Sequence, residues 1–185
     1  TVRALENFDQ AIRTNRENPN GYYQRGTLLL QKEEYARAEA DFDMSIRCDS
    51  AFLPPYFNRA VVYSNTNRPM QALADFDRVL QLDSTNSFTY FNRAILRTQI
   101  GDYNRALDDF DRVALYSPGN VQVYYLRAML KTRLGDLEGA ERDYTRAIEL
   151  YPDFANAYIY RGRLRELLRD PQGAKEDLSL IHISE

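Results

Sequence analysis

The sequence predicts an all-α chain in which one helix-turn-helix unit recurs every 34 residues. Alanine marks one register of this repeat, six times without an insertion or a deletion: Ala4, Ala38, Ala72, Ala106, Ala140 and Ala174. A large apolar residue follows each alanine by four positions: Phe8, Phe42, Phe76, Phe110, Tyr144 and Leu178. A repeat this regular indicates one supersecondary unit whose copies bury their apolar faces on their neighbours.

A second register of small residues runs in parallel through Gly26, Ala60, Ala94, Ala128 and Gly162, and a tyrosine precedes each of them by four positions. With this register numbered as position 8, the repeats are 1–18 (second half only), 19–52, 53–86, 87–120, 121–154 and 155–185 (nearly complete). No linker or low-complexity segment interrupts them. We therefore expect a single array over residues 1–185, itself a fragment of a longer protein.

Proline marks the ends of the predicted helices. All seven prolines fall at repeat positions 1, 2, 3, 17 or 32, and proline is tolerated in a first helical turn or between helices but is costly inside a helix. Helix A is therefore predicted over about positions 2–14 and helix B over about positions 17–30. In chain order, the predicted helices span about 1–14, 20–32, 35–48, 54–66, 69–82, 88–100, 103–116, 122–134, 137–150, 156–168 and 171–184.

The turn between helix A and helix B carries its own sequence signals. Gly101 and Gly135 are predicted to end helix A, because glycine readily adopts the left-handed conformation found just after a helix. Asp102 and Asp136 follow as predicted N-caps of helix B. Asp170 is the corresponding N-cap in the last repeat, where proline takes the first helical position.

This pattern resembles the tetratricopeptide repeat, a 34-residue helix-turn-helix with small residues at positions 8, 20 and 27, large ones at 4, 11 and 24, and proline near 32. The resemblance covers the whole chain and implies a right-handed α-solenoid, or superhelix, of antiparallel helices. The last three repeats depart from it at position 11, where Arg97, Lys131 and Arg165 replace a large apolar residue. We expect this departure to loosen helix A there, unless the long aliphatic stems cover apolar surface.

Composition excludes several classes of function. Hydrophobic residues make up 44% and charged residues 28% of the chain, as in folded rather than disordered proteins. No apolar run approaches the roughly 20 residues that span a bilayer, so no membrane insertion is predicted. The 24 basic and 27 acidic residues give a net charge of −3, which does not attract nucleic acid. The single cysteine, Cys48, excludes an intramolecular disulfide.

The compartment is left open by the sequence. There is no signal peptide and no initiator methionine, and the chain begins within the repeat pattern. We expect the native N-terminus to precede Thr1, so the absence of a targeting segment carries little weight and the cytoplasm is only the default.

Arginine occupies position 7 of every helix A, and aspartate occupies position 23 of every matching helix B. The predicted pairs are Arg25 with Asp41, Arg59 with Asp75, Arg93 with Asp109, Arg127 with Asp143, and Arg161 with Asp177. We interpret them as structural ion pairs between helices A and B, rather than as a ladder of arginines for phosphate or carboxylate ligands. Local pairs three residues apart, with Arg78, Arg112 and Arg146, are an alternative for three of the aspartates.

No residues are predicted to carry catalysis, a metal or a cofactor. Asp-aromatic-Asp recurs at Asp41, Asp75 and Asp109, but residues two apart on a helix point about 200° away from each other and cannot share a ligand. The only histidine is His182, and no Gly-rich phosphate loop, metal-binding motif or nucleophile motif is present. The chain is therefore predicted not to be an enzyme.

Helix A positions 2, 5, 6, 9, 12 and 13 line the concave groove in the resembled family, which implies a peptide-binding surface on this chain, with positions 5, 6 and 9 as its binding residues. The implied groove residues are Tyr23, Gln24, Thr27, Phe57, Asn58, Val61, Phe91, Asn92, Ile95, Tyr125, Leu126, Met129, Ile159, Tyr160 and Arg163. Apolar side chains there would fill pockets, and amides would bond a peptide backbone. The alternative is that the position 5 aromatics only pack between neighbouring A helices.

Two known uses of such a groove differ in their fit to this sequence. The row of Gln24, Asn58 and Asn92 resembles the asparagine ladder in the repeats of O-linked N-acetylglucosamine transferases. The carboxylate clamp of tetratricopeptide co-chaperones requires lysine at position 5 and asparagine at position 9, and these positions are aromatic and mostly aliphatic here, while Pro54 and Phe88 occupy position 2. The clamp is therefore rejected.

The predicted function is a non-enzymatic scaffold that binds a protein or an extended peptide with apolar side chains. One alternative is the substrate-selecting arm of a larger enzyme. Another is self-association through uncapped array ends, because the last helix still presents Leu178, Leu180, Ile181 and Ile183. Binding of RNA by related 35-residue helical repeats is disfavoured by the strict 34-residue spacing and the acidic balance.

Overall fold

A computed structural model describes residues 2–180 of the chain, and every regular element in this part is an α-helix. In chain order the helices are α1 (Val2–Thr14), α2 (Pro19–Gln31), α3 (Tyr35–Cys48), α4 (Pro54–Asn65), α5 (Pro69–Leu82), α6 (Ser87–Gln99), α7 (Tyr103–Tyr116), α8 (Val121–Leu134), α9 (Leu137–Leu150), α10 (Ala155–Leu167) and α11 (Pro171–Leu180). Even-numbered helices are helix A of a repeat and odd-numbered helices are helix B. The predicted all-α fold of helix-turn-helix repeats is confirmed.

In all five turns between helix A and helix B, the residue at position 15 has a left-handed backbone conformation. Gly101 and Gly135 have φ values of 84° and 86°, which confirms them as the residues that end helix A. The equivalent residues Glu33, Asn67 and Arg169 have φ values of 60°, 56° and 62° although they carry side chains. The backbone of this turn is therefore the same whether or not glycine is present, and the three other residues bear the steric cost.

Two of the three predicted aspartate N-caps form. Asp136 Oδ1 accepts a hydrogen bond from the Gly139 N–H at 3.0 Å, and Asp170 Oδ1 accepts one from the Gly173 N–H at 3.0 Å. Asp102 occupies the predicted N-cap position of α7, but its side chain makes no capping hydrogen bond. Its carboxylate lies instead 3.5 Å from Arg105 Nη1, one turn into α7.

The described residues fall into two compact units that divide between Thr89 and Tyr90. In the N-terminal unit, helix A packs against helix B of the same repeat, and helix B packs against the next helix A. Its core contains Leu29, Ala38, Phe42 and Val62. A Cβ atom on Gly26 would lie only 2.8 Å from the Phe42 ring, so a small residue at position 8 lets the large residue of helix B approach.

The C-terminal unit repeats this arrangement of small residues against large ones. Its larger core cluster includes Ala94, Ala106, Phe110, Val113, Val123, Tyr124, Leu130, Ala147, Ile148 and Ala157. A second cluster joins Ala128, Ala140, Tyr144 and Leu164. Burial of each large side chain contributes roughly 1.5–3 kcal/mol, so these clusters are the main source of stability. No helix within residues 2–180 is both long enough and apolar enough to cross a membrane.

Candidate functional site

The arginine at position 7 binds the aspartate at position 23 of its own repeat through two parallel hydrogen bonds. Arg25 Nε and Nη2 donate to Asp41 Oδ2 and Oδ1 at 2.8 and 2.6 Å. The same two bonds form between Arg59 and Asp75, Arg93 and Asp109, Arg127 and Asp143, and Arg161 and Asp177. All five aspartates are buried, so this is the charge-assisted, geometrically specific form of an ion pair.

A further N–H of these arginines reaches into the preceding repeat. Arg59 Nη1 donates to Asp43 Oδ1 at 2.6 Å, and Arg127 Nη1 donates to Asp111 Oδ1 at 2.8 Å. Arg25 makes the equivalent bond to Asp9, and Arg161 makes it to the Thr145 hydroxyl. In the motifs that contain Asp43 and Asp111, the two carboxylates therefore have separate roles, one within the repeat and one towards the next repeat. Because these donors are used internally, a ladder of arginines for external anions is not supported.

The electrostatics of these pairs favour the charged arginine. The hydrogen bond with Asp41 raises the pKa of Arg25, burial opposes this rise, and the bond with Asp9 adds to it. For Arg59, burial would lower the pKa, but the hydrogen bonds with Asp75 and Asp43 outweigh it and the net shift is upward. Both guanidinium groups therefore remain protonated and paired.

Position 11 supplies a second cation to the same buried carboxylates in the last three repeats. Arg97 Nη1 lies 2.7 Å from Asp109 Oδ2, Lys131 Nζ lies 2.8 Å from Asp143 Oδ2, and Arg165 Nη1 lies 3.2 Å from Asp177 Oδ2. The departure from the family pattern is therefore accommodated without an apolar residue, because these side chains are largely buried and link helix A to helix B. One cost remains, since Arg97 Nε is buried without a hydrogen-bond partner.

The alternative local pairs do not form where the structure gives the arginine's partners. Arg78 donates to the Gln81 side chain and to the Ser50 carbonyl, and Arg146 pairs with Glu149. Both arginines also lie over the tyrosine at position 4. Tyr56 lies between Arg59 and Arg78, at 5.7 and 5.8 Å from its ring centre, and Tyr124 lies between Arg127 and Arg146, at 5.4 and 6.0 Å. The tyrosine register thus forms cation–π contacts.

In the N-terminal unit, three of the predicted groove residues, Tyr23, Phe57 and Asn58, line an aromatic cavity of about 210 Å³. Its lining contains Tyr23, Leu53, Pro54, Phe57, Asn58, Asn86, Phe88 and Thr89. The rings of Phe57 and Phe88 are 5.0 Å apart, and Tyr23 meets Phe52 edge to face at 5.5 Å. Phe88 is 64% exposed, which is unusual for a phenylalanine. The predicted site omitted Phe88, although its occurrence at a groove-lining position was a usable signal.

The amide row in the N-terminal unit is partly engaged. Asn58 Nδ2 donates to Thr27 Oγ1 at 3.0 Å, and Thr27 Oγ1 donates in turn to the Tyr23 carbonyl at 2.9 Å. Asn58 is thereby held by the preceding helix A, with its carbonyl oxygen and its other N–H remaining for a further partner. Gln24 is exposed and Val61 is half-buried beside this row.

In the C-terminal unit, a second cavity of about 220 Å³ lies between helices α6 and α8. Buried Phe110 and Leu130 form its floor. Groove residues Ile95, Leu126 and Met129 form its walls. Thr98, Gln99 and Arg133 complete the lining. This cavity is aliphatic where the other is aromatic.

Three tyrosines form a cluster in the same C-terminal unit as this cavity. Tyr125, Tyr144 and Tyr160 have ring centres 5.8–6.3 Å apart, and Phe154 lies 4.9 Å from Tyr125. Burial raises the pKa of Tyr144 to about 12 and also raises the pKa of Tyr125. The remaining predicted groove residues of this unit, Phe91, Asn92 and Ile159, are half-buried, whereas Arg163 is exposed.

The position 5 aromatics pack within the fold as well as facing the predicted groove. Each contacts the large residue at position 24 of its own repeat: Tyr23 with Phe42, Phe57 with Phe76, Phe91 with Phe110, and Tyr125 with Tyr144, at 5.6–6.4 Å. All four nevertheless keep part of their surface exposed. A structural role is therefore present, and a binding role is compatible with it.

No candidate metal site accompanies this surface within residues 2–180. No group of three or more His, Cys, Asp and Glu side chains there could hold a metal ion. His182, Ile181 and Ile183 lie outside the described residues, as does the side chain of Leu180.

Comparison with known proteins identifies the family. Models of the tetratricopeptide repeat match residues 3–51, 53–86 and 121–154, together more than half of the chain. The chain belongs to the tetratricopeptide repeat family. No curated protein sequence matches it.

Solved structures of tetratricopeptide proteins share the fold. YrrB, described as a tetratricopeptide protein with an unusual peptide-binding site, superimposes with a TM-score of 0.82 at 22% identity, over 95% of this chain and 90% of YrrB. MamA from Desulfovibrio magneticus RS-1 gives 0.81 at 18% identity, over 90% and 94% of the two chains. A tetratricopeptide protein from Parabacteroides merdae gives 0.77 at 21% identity, over 100% and 73%. At these identities the likeness establishes the fold alone.

Proposed function

We propose that this chain is a protein-interaction scaffold that binds an extended peptide on the helix A surface of its repeats. The observation that carries the proposal is the pair of cavities, about 210 and 220 Å³, one on the helix A side of each unit. Both are lined mainly by apolar side chains at or beside the groove positions.

The dimensions of these cavities suit single side chains of a peptide. Small-molecule pockets usually measure about 300–1,000 Å³, whereas an apolar cavity of about 150 Å³ accepts a benzene-sized group. Burial of one large apolar side chain in such a space contributes roughly 1.5–3 kcal/mol. Two anchored side chains would therefore supply a large part of a peptide's binding free energy.

Polar groups near the cavities suit an extended backbone. An extended segment carries unpaired N–H and C=O groups, which need partners when the segment is bound. The Asn58 amide lines the aromatic cavity and is oriented by Thr27. Its carbonyl oxygen and second N–H are suited to accept from and donate to a peptide backbone. The description of YrrB as having a peptide-binding site gives the proposal further support.

The exposed ring of Phe88 provides a test that leaves the fold intact. Phe88 is 64% exposed and Met70, on helix α5, is 72% exposed, so we expect both glutamate variants to fold, which circular dichroism checks. The full chain and the variants Phe88→Glu and Met70→Glu serve as baits in a pull-down followed by mass spectrometry. We expect the specific partner to bind the parent chain and Met70→Glu and to be lost from Phe88→Glu. Equal capture by all three baits would contradict the proposal.

Self-association is a second candidate, and it concerns a different surface. Leu167 at the end of α10 and Leu178 on α11 are both exposed, and the cavity lined by Pro171, Ala174 and Leu178 is open beside them. An exposed apolar surface of this kind is typical of an interaction site. Light scattering over a concentration range tests it. We expect the apparent mass to rise with protein concentration, and we expect Leu178→Glu to abolish this rise. A constant monomer mass in the parent chain would contradict self-association.

A further inference from the structure

The C-terminal cavity is lined by one cation that has no anionic partner. Arg133 is exposed, and its guanidinium lies 4.6 Å from the centre of the Tyr103 ring. Within residues 2–180 it makes no ion pair and no hydrogen bond. Asp136, the next acidic residue along the chain, directs its Oδ1 to the Gly139 N–H instead. Arg133 therefore retains its N–H donors for an external acceptor.

Arg127, on the same helix, illustrates the contrast. It is bonded to both Asp143 and Asp111, and so its N–H donors are used internally. Arg163, at a groove position of α10, resembles Arg133, because it lies 5.8 Å from the centre of the Tyr160 ring and has no carboxylate partner within the described part of the chain. The groove side of this unit thus presents unpaired positive charge, although the chain as a whole has a net charge of −3.

The unpaired charge and the apolar cavity adjoin each other. Arg133 lines the same cavity as Phe110, Leu126 and Leu130. An occupant must therefore offer an apolar group to the floor and an anionic group to the guanidinium. A planar guanidinium over a tyrosine ring can present its N–H edge to a carboxylate, whose two oxygens match the guanidinium fork.

We infer that the C-terminal unit recognises an internal peptide segment in which a large aliphatic side chain, leucine or methionine, has an aspartate or glutamate beside it. This inference rests on the proposed peptide-binding function. The aliphatic side chain occupies the cavity over Phe110 and Leu130, and the acidic side chain pairs with Arg133. An internal side chain fits better than a chain-terminal carboxylate, because a terminus is normally held by several converging donors and Arg133 is the one cation lining the cavity.

Charge reversal at Arg133 gives the sharpest test. The probe is an array of seven-residue peptides, acetylated and amidated so that no terminal charge remains. The central residue is Leu, Met or Ala, the two neighbours are Asp, Asn or Lys, and the other positions are randomised. The full chain should select Leu or Met over Ala, and Asp over Asn over Lys. Because an exposed ion pair is weak, we expect the step from Asp to Asn to change Kd about two- to fivefold.

Variants separate the two parts of the inference. Arg133→Glu should reverse the order to Lys over Asn over Asp, and Arg133→Gln should abolish the charge preference. Arg142→Glu, an exposed arginine of α9 that does not line the cavity, should behave like the parent. If Arg133→Glu keeps the parental preference for Asp, the inference is overturned. If Leu and Met are selected with any neighbour, the acidic preference is overturned while the peptide-binding function stands. If peptides with a central Ala bind as well as those with a central Leu, both this inference and the proposed peptide-binding function are overturned.

Discussion

Arg59 donates a hydrogen bond to Asp43, a residue of the preceding repeat, over a distance of 2.6 Å. The same guanidinium holds Asp75 of its own repeat. One side chain therefore ties helix A to its own helix B and to the previous one. In an array where each repeat contacts only its neighbours, such bridges add to the nearest-neighbour coupling that makes unfolding cooperative.

The two partners of Arg59 should differ in their contribution to stability. The Asp43 side chain is 37% exposed and the Asp75 side chain is 8% exposed. We expect Asp43→Ala to cost at most about 1 kcal/mol, as for surface pairs, and Asp75→Ala to cost about 3 kcal/mol, because it removes the buried partner of Arg59 and leaves the guanidinium with Asp43 alone. Chemical denaturation of both variants measures the difference. Equal losses would show that the distinction between the two partners is wrong.

Asp109 should be more sensitive than Asp75. Asp109 binds both Arg93 and Arg97, whereas Tyr63 occupies the position equivalent to Arg97 in the repeat of Asp75. Asp109→Ala therefore leaves two largely buried guanidinium groups without this partner. We expect its cost to exceed that of Asp75→Ala by about 1 kcal/mol or more, measured as the difference in unfolding free energy. Adding Arg97→Leu to Asp109→Ala should recover part of the loss, and strict additivity of the two changes would contradict the shared role.

Alanine at position 20 should be a point of close approach between helices. Ala106 is fully buried in the C-terminal core. Ala106→Leu should therefore overpack the core and lower stability by about 1–3 kcal/mol. Ala74→Leu, at an exposed site of helix α5, is the matched control and should change stability little. An unchanged denaturation midpoint for Ala106→Leu would contradict the assigned helix register.

Burial of Tyr144 should make the fold sensitive to alkali. Its pKa is raised to about 12, and it is 1% exposed. An unfolded tyrosine ionises near pH 10, so between about pH 10 and 12 the unfolded chain has lost a proton that the folded chain retains, and stability falls as pH rises. At pH 11 this loss amounts to about 1.4 kcal/mol.

Tyr144→Phe isolates the effect, because phenylalanine already occupies the equivalent position at Phe42, Phe76 and Phe110. Between pH 8 and pH 11, the denaturant midpoint should decrease more for the parent chain than for Tyr144→Phe. Identical decreases would mean that the phenol is not responsible.

The repeat pattern was enough to predict the helices and the position 7 to position 23 contacts. Small, large and proline positions recur at fixed spacing, so each helix end follows from local chemistry. The bond from Arg59 to Asp43 was not predictable in the same way, because it depends on how one repeat is rotated onto the next. The role of Lys131 was not predicted, because the family pattern favours an apolar residue at its position. The ion pair between Lys131 and Asp143 requires the Asp143 carboxylate to be buried within reach of the lysine, and sequence spacing alone does not reveal that burial.

The candidate site was predicted less completely than the fold. Groove positions on helix A could be assigned from the resembled family, but the cavity lined by Phe88 and Asn86 involves the loop and first turn of the next helix. Likewise, Arg133 could be placed near a groove by its position in the repeat. Unlike Arg127, Arg133 lacks an internal partner, and this became apparent only when the partners of both side chains were known.

The central claim is that the helix A surface binds a peptide, and titration of a captured partner against groove variants tests it most directly. Phe91 is half-buried and contacts Phe110 at 6.3 Å, and Asn92 follows it on the same helix. The variants are first shown to be folded by circular dichroism, and binding is then measured by calorimetry at low and high ionic strength. We expect Phe91→Ala to weaken binding by about 2 kcal/mol or more and Asn92→Ala by about 1 kcal/mol, with only a modest salt dependence. Unchanged affinity in both folded variants, or affinity that collapses with salt, would contradict the account.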